Sequence, residues 1–107
     1  MKIKKICVTH EEQVKGMMND TLKKDECCIF MYPSKRLLSF WMKNTPQDLD
    51  IYYIDGLDVI QVDTMWSYTL TPHKSLQPVT MAIEAVHGVL NPIDKTISFE
   101  DGYVVFN

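Results

Sequence analysis

Residues 49–66, LDIYYIDGLDVIQVDTMW, contain two apolar and β-branched runs that meet at Asp55 and Gly56. The runs, 49–55 and 59–66, each have the usual length of a β-strand. An Asp-Gly pair between two such runs is a strong hairpin signal, because glycine tolerates the positive φ that a tight turn needs. This stretch therefore predicts two paired antiparallel strands and a β-rich fold.

Five further runs rich in apolar, aromatic and β-branched residues are separated by turn-forming residues, a pattern typical of an antiparallel sheet or barrel. The first has an alternation that slips at Lys5, which predicts a β-bulge. The predicted strands outside the hairpin are residues 2–8, 27–32, 37–43, 80–86 and 103–106.

One short helix is predicted over residues 10–19. Thr9 and Glu12 have the spacing of a capping box, and apolar residues follow at helical intervals. Residues 67–78 have no sustained period and predict a long loop, and residues 87–102 are too interrupted by glycine and proline for a long helix. The predicted fold class is therefore α+β, predominantly β: a small curved antiparallel sheet or barrel with one or two short helices.

Length and charge limit the classes of function. At 107 residues we expect one domain over 1–107. The net charge of -3 supplies no positive field for a phosphate backbone, so we expect no nucleic-acid partner. No apolar run reaches the roughly 20 residues of a membrane helix, and the first 20 residues lack a signal-peptide pattern. Three cysteines, an odd number, favour a reducing compartment. We expect no membrane partner, a cytoplasmic location, and a monomer or weak homo-oligomer.

The segment FWMKNT at residues 40–45 is unusual, because a tryptophan, a lysine and an asparagine follow one another where a strand is predicted to end. Four other short segments accompany it in order along the chain: GMM at 16–18, LDI at 49–51, IDG at 54–56 and IEAVHG at 83–88. Together they resemble the DUF192 family. The resemblance implies a compact β-rich domain with a small helical part, in which FWMKNT and the following Leu-Asp lie near the glutamate of IEAVHG. It implies no known reaction.

The residues that carry the resemblance also carry most of the polar chemistry. On a strand, Trp41 and Lys43 share the face opposite Phe40 and Met42. An aromatic plane beside an ammonium and an amide suits a planar, sugar-like or anionic ligand. The alternative is structural: Trp41 covers an apolar edge, Lys43 pairs with Asp48 or Asp50, and Asn44 caps the turn. The predicted ligand-binding residues are Trp41, Lys43, Asn44, Thr45, Asp50 and Glu84.

Asp50 and Glu84 are also the candidate residues for an alternative function, catalysis. Two carboxyl groups that meet across a sheet can act as general acid and base if burial separates their pKa values. The structural alternative is that Asp50 pairs with Lys43 or accepts hydrogen bonds from loop amides. Whether the chain is an enzyme is left open, and no catalytic residue is assigned.

No metal site or cofactor is predicted. Three histidines and three cysteines supply metal-ligating atoms, but no CxxC or HxxxH spacing groups them. The adjacent Cys27 and Cys28 are expected to point to opposite faces of a strand, one into the core and one to an exposed or edge position. The chain contains no GxSxG sequence and no phosphate-binding glycine loop.

Three functions remain open. The first is a module that binds a small molecule or a protein in a groove around FWMKNT, covered by the 67–78 loop. The second is a small hydrolase or transferase that uses Asp50 or Glu84. The third is a structural or host-interaction protein that presents a sheet edge or the tyrosine-rich strand at 52–53 to a partner.

Overall fold

The computed structural model describes residues 1–91 and 95–107. Over those residues it has one helix and nine strands, which confirms the predicted α+β, predominantly β class. The elements in chain order are β1 Lys2–Cys7, α1 His10–Lys15, β2 Glu26–Arg36, β3 Ser39–Phe40, β4 Leu49–Asp55, β5 Asp58–Met65, β6 His73–Lys74, β7 Val79–Val86, β8 Ile97–Glu100 and β9 Tyr103–Phe106.

Seven of the strands form one sheet in the order β5-β4-β7-β2-β1-β9-β8. The two outermost strands of this order approach each other, because Asp58 forms a bridge with Thr96 and the amide of Ile97 donates to the carbonyl of Leu57 at 2.9 Å. The sheet therefore curls into a half-barrel, as predicted for a curved sheet. The remaining strands, β3 and β6, form a separate two-stranded sheet.

The predicted hairpin is confirmed. β4 and β5 are antiparallel, with Asp55 opposite Asp58, and Gly56 occupies the tight turn with a φ of 66°. Glycine reaches this region without the steric cost that a Cβ atom would add. The predicted strand bounds of 49–55 and 59–66 differ from the observed bounds by at most one residue.

One pair of strands is parallel, which corrects the all-antiparallel prediction. β1 and β2 run in the same direction, so the chain has to cross back between them, and α1 lies in that crossover. The predicted bulge is confirmed, since the β1–β2 register shifts between Ile3 and Lys5. Pairing direction depends on distant residues and cannot be seen in the alternation of a single run.

The helix begins as predicted and ends early. Thr9 accepts a hydrogen bond from the Glu12 amide at 3.2 Å, and the Glu12 carboxylate accepts the Thr9 amide at 2.9 Å, which completes the capping box. The helix ends at Lys15 rather than residue 19, because Gly16 adopts a φ of 46° and a ψ of -121°, outside the helical region. In the described chain no helix has the length and hydrophobicity to cross a membrane.

Two predicted strands need correction. The strand predicted at 27–32 continues through Pro33 to Arg36, with an irregular register after Met31 that accommodates a residue without an amide hydrogen. The strand predicted at 37–43 is reduced to Ser39–Phe40, which pairs with β6 inside the predicted 67–78 loop.

The interrupted segment 87–102 has more structure than predicted. It begins with a turn, in which the Val89 amide donates to the Val86 carbonyl, and it contains β8. The proline within it, Pro92, lies outside the described residues. β8 was not predicted because it has only two apolar residues, Ile97 and Phe99, whereas the equally short β9 is apolar or aromatic throughout.

Both faces of the sheet are covered. Tyr52 and Tyr53 are adjacent on β4, point to opposite faces, and are both fully buried. One face forms the strand-lined core, made largely of strand residues inside the curl, such as Ile83, Ile97 and Val104. The other forms the loop-covered core, in which Met17, Leu22, Leu38 and Met42 from connecting segments cover β1, β2, β4 and β7.

Candidate functional site

A cavity of about 530 Å³ opens into the loop-covered core. Its walls come from α1 and the turn that follows it, from β2, and from the segment that begins at β3 and contains FWMKNT. We call it the α1–β3 cavity. Its aromatic and methionine lining consists of Met17, Met18, Phe30, Tyr32, Phe40, Trp41 and Met42.

The aromatic wall is held by ring contacts. Phe30 of β2 and Phe40 of β3 pack edge to face, with ring centroids 4.9 Å apart, and Phe40 also meets Tyr53 at 6.2 Å. Gly16 allows the chain after α1 to pass over Phe30, since a Cβ atom at this position would lie 3.1 Å from Phe30 Cζ. The helical segment and the sheet therefore approach closely on one side of the cavity.

Glu84 of β7 lies on the floor of the cavity and is only 4% exposed. Its neighbours across the sheet are Cys28 of β2 and Ile51 of β4. Among the described residues its carboxyl group has no hydrogen-bond or ion-pair partner. Burial raises the pKa of Glu84 to about 8, with a further contribution from Cys7 and an opposing one from Lys5. The group is therefore mostly a neutral carboxylic acid at pH 7.

The charged residues around the opening are basic. Lys15 and Arg36 line the cavity and are exposed, and His10 lines it at the start of α1. Neither Lys15 nor Arg36 has a carboxylate within 4.0 Å among residues 1–91 and 95–107. The Arg36 guanidinium lies 5.3 Å from the centre of the Tyr32 ring, a cation–π distance. Among the described residues that line the cavity, Glu84 has the one carboxyl group.

Three of the six predicted ligand-binding residues line the cavity: Trp41, Thr45 and Glu84. Trp41 is 46% exposed, and Lys43 stacks on it with Nζ 5.2 Å from the ring centre. Lys43 is therefore placed next to the cavity through Trp41. This contact replaces the alternative in which Lys43 pairs with Asp50.

Asn44 and Thr45 form the turn that ends the segment. Asn44 has a φ of 56°, which asparagine tolerates better than most residues, and its carbonyl accepts the Asn19 amide at 2.7 Å. Thr45 is buried, and its carbonyl accepts the Tyr68 amide at 3.1 Å. Both residues connect the segment to neighbouring loops, and only Thr45 also faces the cavity.

Asp50 does not share the cavity, which corrects the expectation of one groove. Ile51 is the register partner of Glu84, so Asp50, one position earlier, points to the opposite face of the sheet. The Asp50 carboxylate accepts hydrogen bonds from the Thr64 hydroxyl and the Gly88 amide, both at 2.9 Å, and lies 2.8 Å from His87 Nδ1. The two carboxyl groups cannot act on one substrate.

The tyrosine-rich strand does not form the second predicted interaction surface. The tyrosine-rich strand at 52–53 is β4, which lies between β5 and β7 and is buried on both faces. It therefore presents neither a sheet edge nor exposed tyrosines to a partner.

Several lining residues were missed from the sequence, including Phe30, Tyr32, Lys15 and Arg36. Their own segments read as an ordinary strand and an ordinary helix, and no motif groups them. Only the side-by-side placement of α1, β2 and β3 brings them together. The sequence does place Lys15 at the end of α1 and Arg36 at the end of β2, but basic residues at such positions indicate a binding site only weakly.

The thiol groups are all internal. Cys27 and Cys28 point to opposite faces, as predicted, but both are buried, because β2 is covered on each side. Cys28 Sγ lies 3.8 Å from Cys7 Sγ, and this hydrogen bond together with burial raises the pKa of Cys28. Within the described chain no three His, Cys, Asp or Glu residues converge to hold a metal ion.

Two crystal structures have similar folds. A candidate transcription regulator from Sinorhizobium meliloti 1021 is 22% identical with a TM-score of 0.76, over 78% of this chain and 67% of its own. A protein of unknown function from Novosphingobium aromaticivorans DSM 12444 is 25% identical with a TM-score of 0.77, over 88% of this chain and 71% of its own. No protein of curated function matches the chain. A family model, "Uncharacterized ACR", matches residues 4–96, and the chain therefore belongs to the DUF192 family.

Proposed function

We propose that the chain is a binding module that takes a small molecule into the α1–β3 cavity. The observation that carries the proposal is the unpartnered carboxyl group of Glu84, which is 4% exposed and lines the cavity. Because the carboxyl group lines the cavity, a ligand there could supply the hydrogen bond that the described protein groups do not. A hydrogen bond of this kind is worth about 1 kcal/mol.

The cavity has the character of a small-molecule site. Its volume of about 530 Å³ lies in the range of known ligand pockets, roughly 300–1,000 Å³. Such pockets combine an apolar, often aromatic wall with a few polar groups that orient the ligand. Here Phe30, Phe40 and Trp41 would provide the wall, and Glu84 the inner polar group.

Binding is better supported than the two-carboxylate reaction. The reaction needs a second acid or base near Glu84, whereas Asp50 lies on the opposite face, where Thr64 and Gly88 donate hydrogen bonds to it. Of the predicted residues, we assign Trp41, Thr45 and Glu84 to the site and Lys43 to its edge. We assign Asn44 and Asp50 to the fold.

The two tryptophans of the chain allow a direct test. Trp41 lines the cavity, whereas Trp66 packs against His87, with ring centroids 5.2 Å apart, and does not line it. Their indole N–H signals can be assigned in ¹H–¹⁵N spectra with Trp41→Phe and Trp66→Phe. On titration with benzyl alcohol, benzamide and cyclohexanol, we expect the Trp41 signal to move in a saturable way and the Trp66 signal to stay in place.

Glu84→Leu and Asp50→Asn provide the matched variants. Glu84→Leu replaces an unpartnered polar group with an apolar one of similar size, so the chain should stay folded. It should weaken benzyl alcohol binding about 5-fold, the worth of one hydrogen bond of about 1 kcal/mol. Asp50→Asn should leave this binding unchanged. Equal movement of both indole signals, or none with any probe, would exclude the cavity as the site.

A further inference from the structure

The charges around the cavity suggest what class of molecule would enter it. The whole chain has a net charge of -3, yet the charged groups at the opening are Lys15 and Arg36, accompanied by His10. Lys15 and Arg36 have no carboxylate within 4.0 Å in the described part of the chain. The carboxylates of α1, Glu11 and Glu12, are not in the cavity lining, so the mouth itself carries more positive than negative charge. Such a mouth attracts anions and repels other cations.

From this complementarity we propose that the ligand is a small organic acid: an anionic group at the Lys15–Arg36 mouth, a flat apolar body, and an acceptor oxygen near Glu84. The inference rests on the proposed function and adds the chemical class of the ligand. The apolar body would lie against Phe30 and Phe40, whose rings meet edge to face at 4.9 Å.

The inner end of the ligand follows from the state of Glu84. Because burial raises the pKa of Glu84 to about 8, the group is mostly protonated at pH 7 and has one O–H to donate. A hydroxyl or carbonyl oxygen on the ligand could accept it. The titratable groups that face Glu84 from the neighbouring strands are Lys5 and Cys7 of β1, Cys28 and Tyr32 of β2, and Tyr53 of β4.

These neighbours do not supply the missing partner. The Lys5 ammonium donates to the carbonyl of Gly16 and lies 3.8 Å from an Asp20 oxygen, so it is already paired. The Cys7 and Cys28 thiols share a hydrogen bond with each other. An organic cation would have to pass Lys15 and Arg36 and would then meet a Glu84 that is mostly protonated at pH 7, so the acid is favoured at the mouth of the cavity.

A series of three compounds that differ in charge tests the class. The compounds are 3-(4-hydroxyphenyl)propanoate, its primary amide and tyramine, which share a phenol and carry charges of -1, 0 and +1. Titrated at pH 7 and followed by the Trp41 indole signal, the acid should bind at least about 5-fold more tightly than the amide. Tyramine should bind most weakly.

Charge removal identifies the residues responsible. The double variant Lys15→Gln and Arg36→Gln should bring the acid to the affinity of the amide. The matched control, Lys24→Gln with Lys95→Gln, removes two exposed lysines that do not line the cavity and should change the affinity less than about 2-fold. Between pH 6.5 and 8.5 Glu84 loses its proton and becomes a negative charge in the cavity, so the acid should lose affinity relative to its neutral amide. Glu84→Gln should remove this dependence.

The outcomes separate this inference from the proposed function. An amide or amine that binds as tightly as the acid, or a Lys15–Arg36 double variant without effect, would overturn the ligand class and leave the cavity as a binding site. If benzyl alcohol binds and none of the three compounds does, the ligand class is also overturned and the cavity remains a binding site. If no probe moves the Trp41 signal, benzyl alcohol included, the proposed function fails as well.

Discussion

The carboxylate of Asp50 lies 2.8 Å from Nδ1 of His87 and ties the end of β7 to β4. Its second oxygen accepts the amide of Gly88 at 2.9 Å, and the Thr64 hydroxyl donates to the first. One buried side chain thus joins β5 and the turn after β7 to β4. The aspartate of the LDI segment supports the fold on the face opposite Glu84.

We predict that Asp50→Ala lowers the free energy of unfolding by about 2–3 kcal/mol, because it leaves the Thr64 hydroxyl and the Gly88 amide without their acceptor. Urea unfolding would measure the loss. Asp58→Ala, an exposed aspartate at the start of β5, is the control and should change stability by less than about 0.5 kcal/mol. If Asp50→Ala were as stable as the control, the fold role of Asp50 would be excluded.

We predict that Glu84 makes the chain less stable as the pH rises. Its pKa is about 8 in the folded chain and 4.5 without burial, so between these values the folded state holds a proton that the unfolded state has released. The stabilisation that comes from this proton on Glu84 is complete below about pH 4.5 and is lost as the pH rises towards 8. Over that window the free energy of unfolding should fall by up to roughly 1.4 kcal/mol per pH unit.

Glu84→Gln isolates this effect because glutamine does not titrate. The stability difference between Glu84→Gln and the parent chain, measured by urea unfolding from pH 5 to 8, should shift in favour of the variant as the pH rises. Glu100→Gln, which removes an exposed carboxylate on β8, should show no such trend. A pH-independent difference for Glu84→Gln would show that Glu84 is not held neutral.

We predict that Gly16→Ala destabilises the fold by about 1–3 kcal/mol. The residue has a φ of 46°, and the new Cβ would lie 3.1 Å from the Phe30 ring. Gly56→Ala is the matched comparison: its φ of 66° is also positive, but nothing lies within 4 Å of its Cβ position, so it should cost about 1 kcal/mol. Equal losses would mean that contact with Phe30 adds nothing. Gly16→Ala should also weaken benzyl alcohol binding.

We predict that none of the three thiols reacts with Ellman's reagent in the native chain at pH 8. All are buried, and burial raises the pKa of Cys27 to about 11, so little thiolate is present there. Guanidinium chloride should release three equivalents. Rapid native labelling would show that a cysteine-bearing strand opens readily, and Cys27→Ser would then identify whether Cys27 is the labelled residue.

Local signals predicted the local structure well. The Asp55-Gly56 pair located the β4–β5 hairpin, and the Thr9–Glu12 pair located the start of α1, because both depend on residues close in sequence. In FWMKNT, the alternation correctly predicted that Trp41 and Lys43 are exposed and that Met42 is buried. The chain nevertheless forms no strand at these three residues. Alternation reports which face is buried, whereas strand pairing needs a partner elsewhere in the chain.

Prediction of the site was limited by register. The family resemblance placed Asp50 near Glu84, and the two residues do lie on adjacent strands. However, a difference of one position decides which face a strand residue occupies, and a single sequence does not show the register between β4 and β7. The basic mouth was missed for a similar reason, since Lys15 and Arg36 become neighbours of one opening only after the chain has folded.

The approach of β5 and β8 has a consequence for how copies of this protein behave together. Asp58 forms a bridge with Thr96, and the amide of Ile97 donates to the carbonyl of Leu57. Unsatisfied backbone groups on an outermost strand can recruit a strand from another molecule. Because the two outermost strands of the seven-stranded order meet here, this part of their edges is withdrawn from intermolecular β-aggregation.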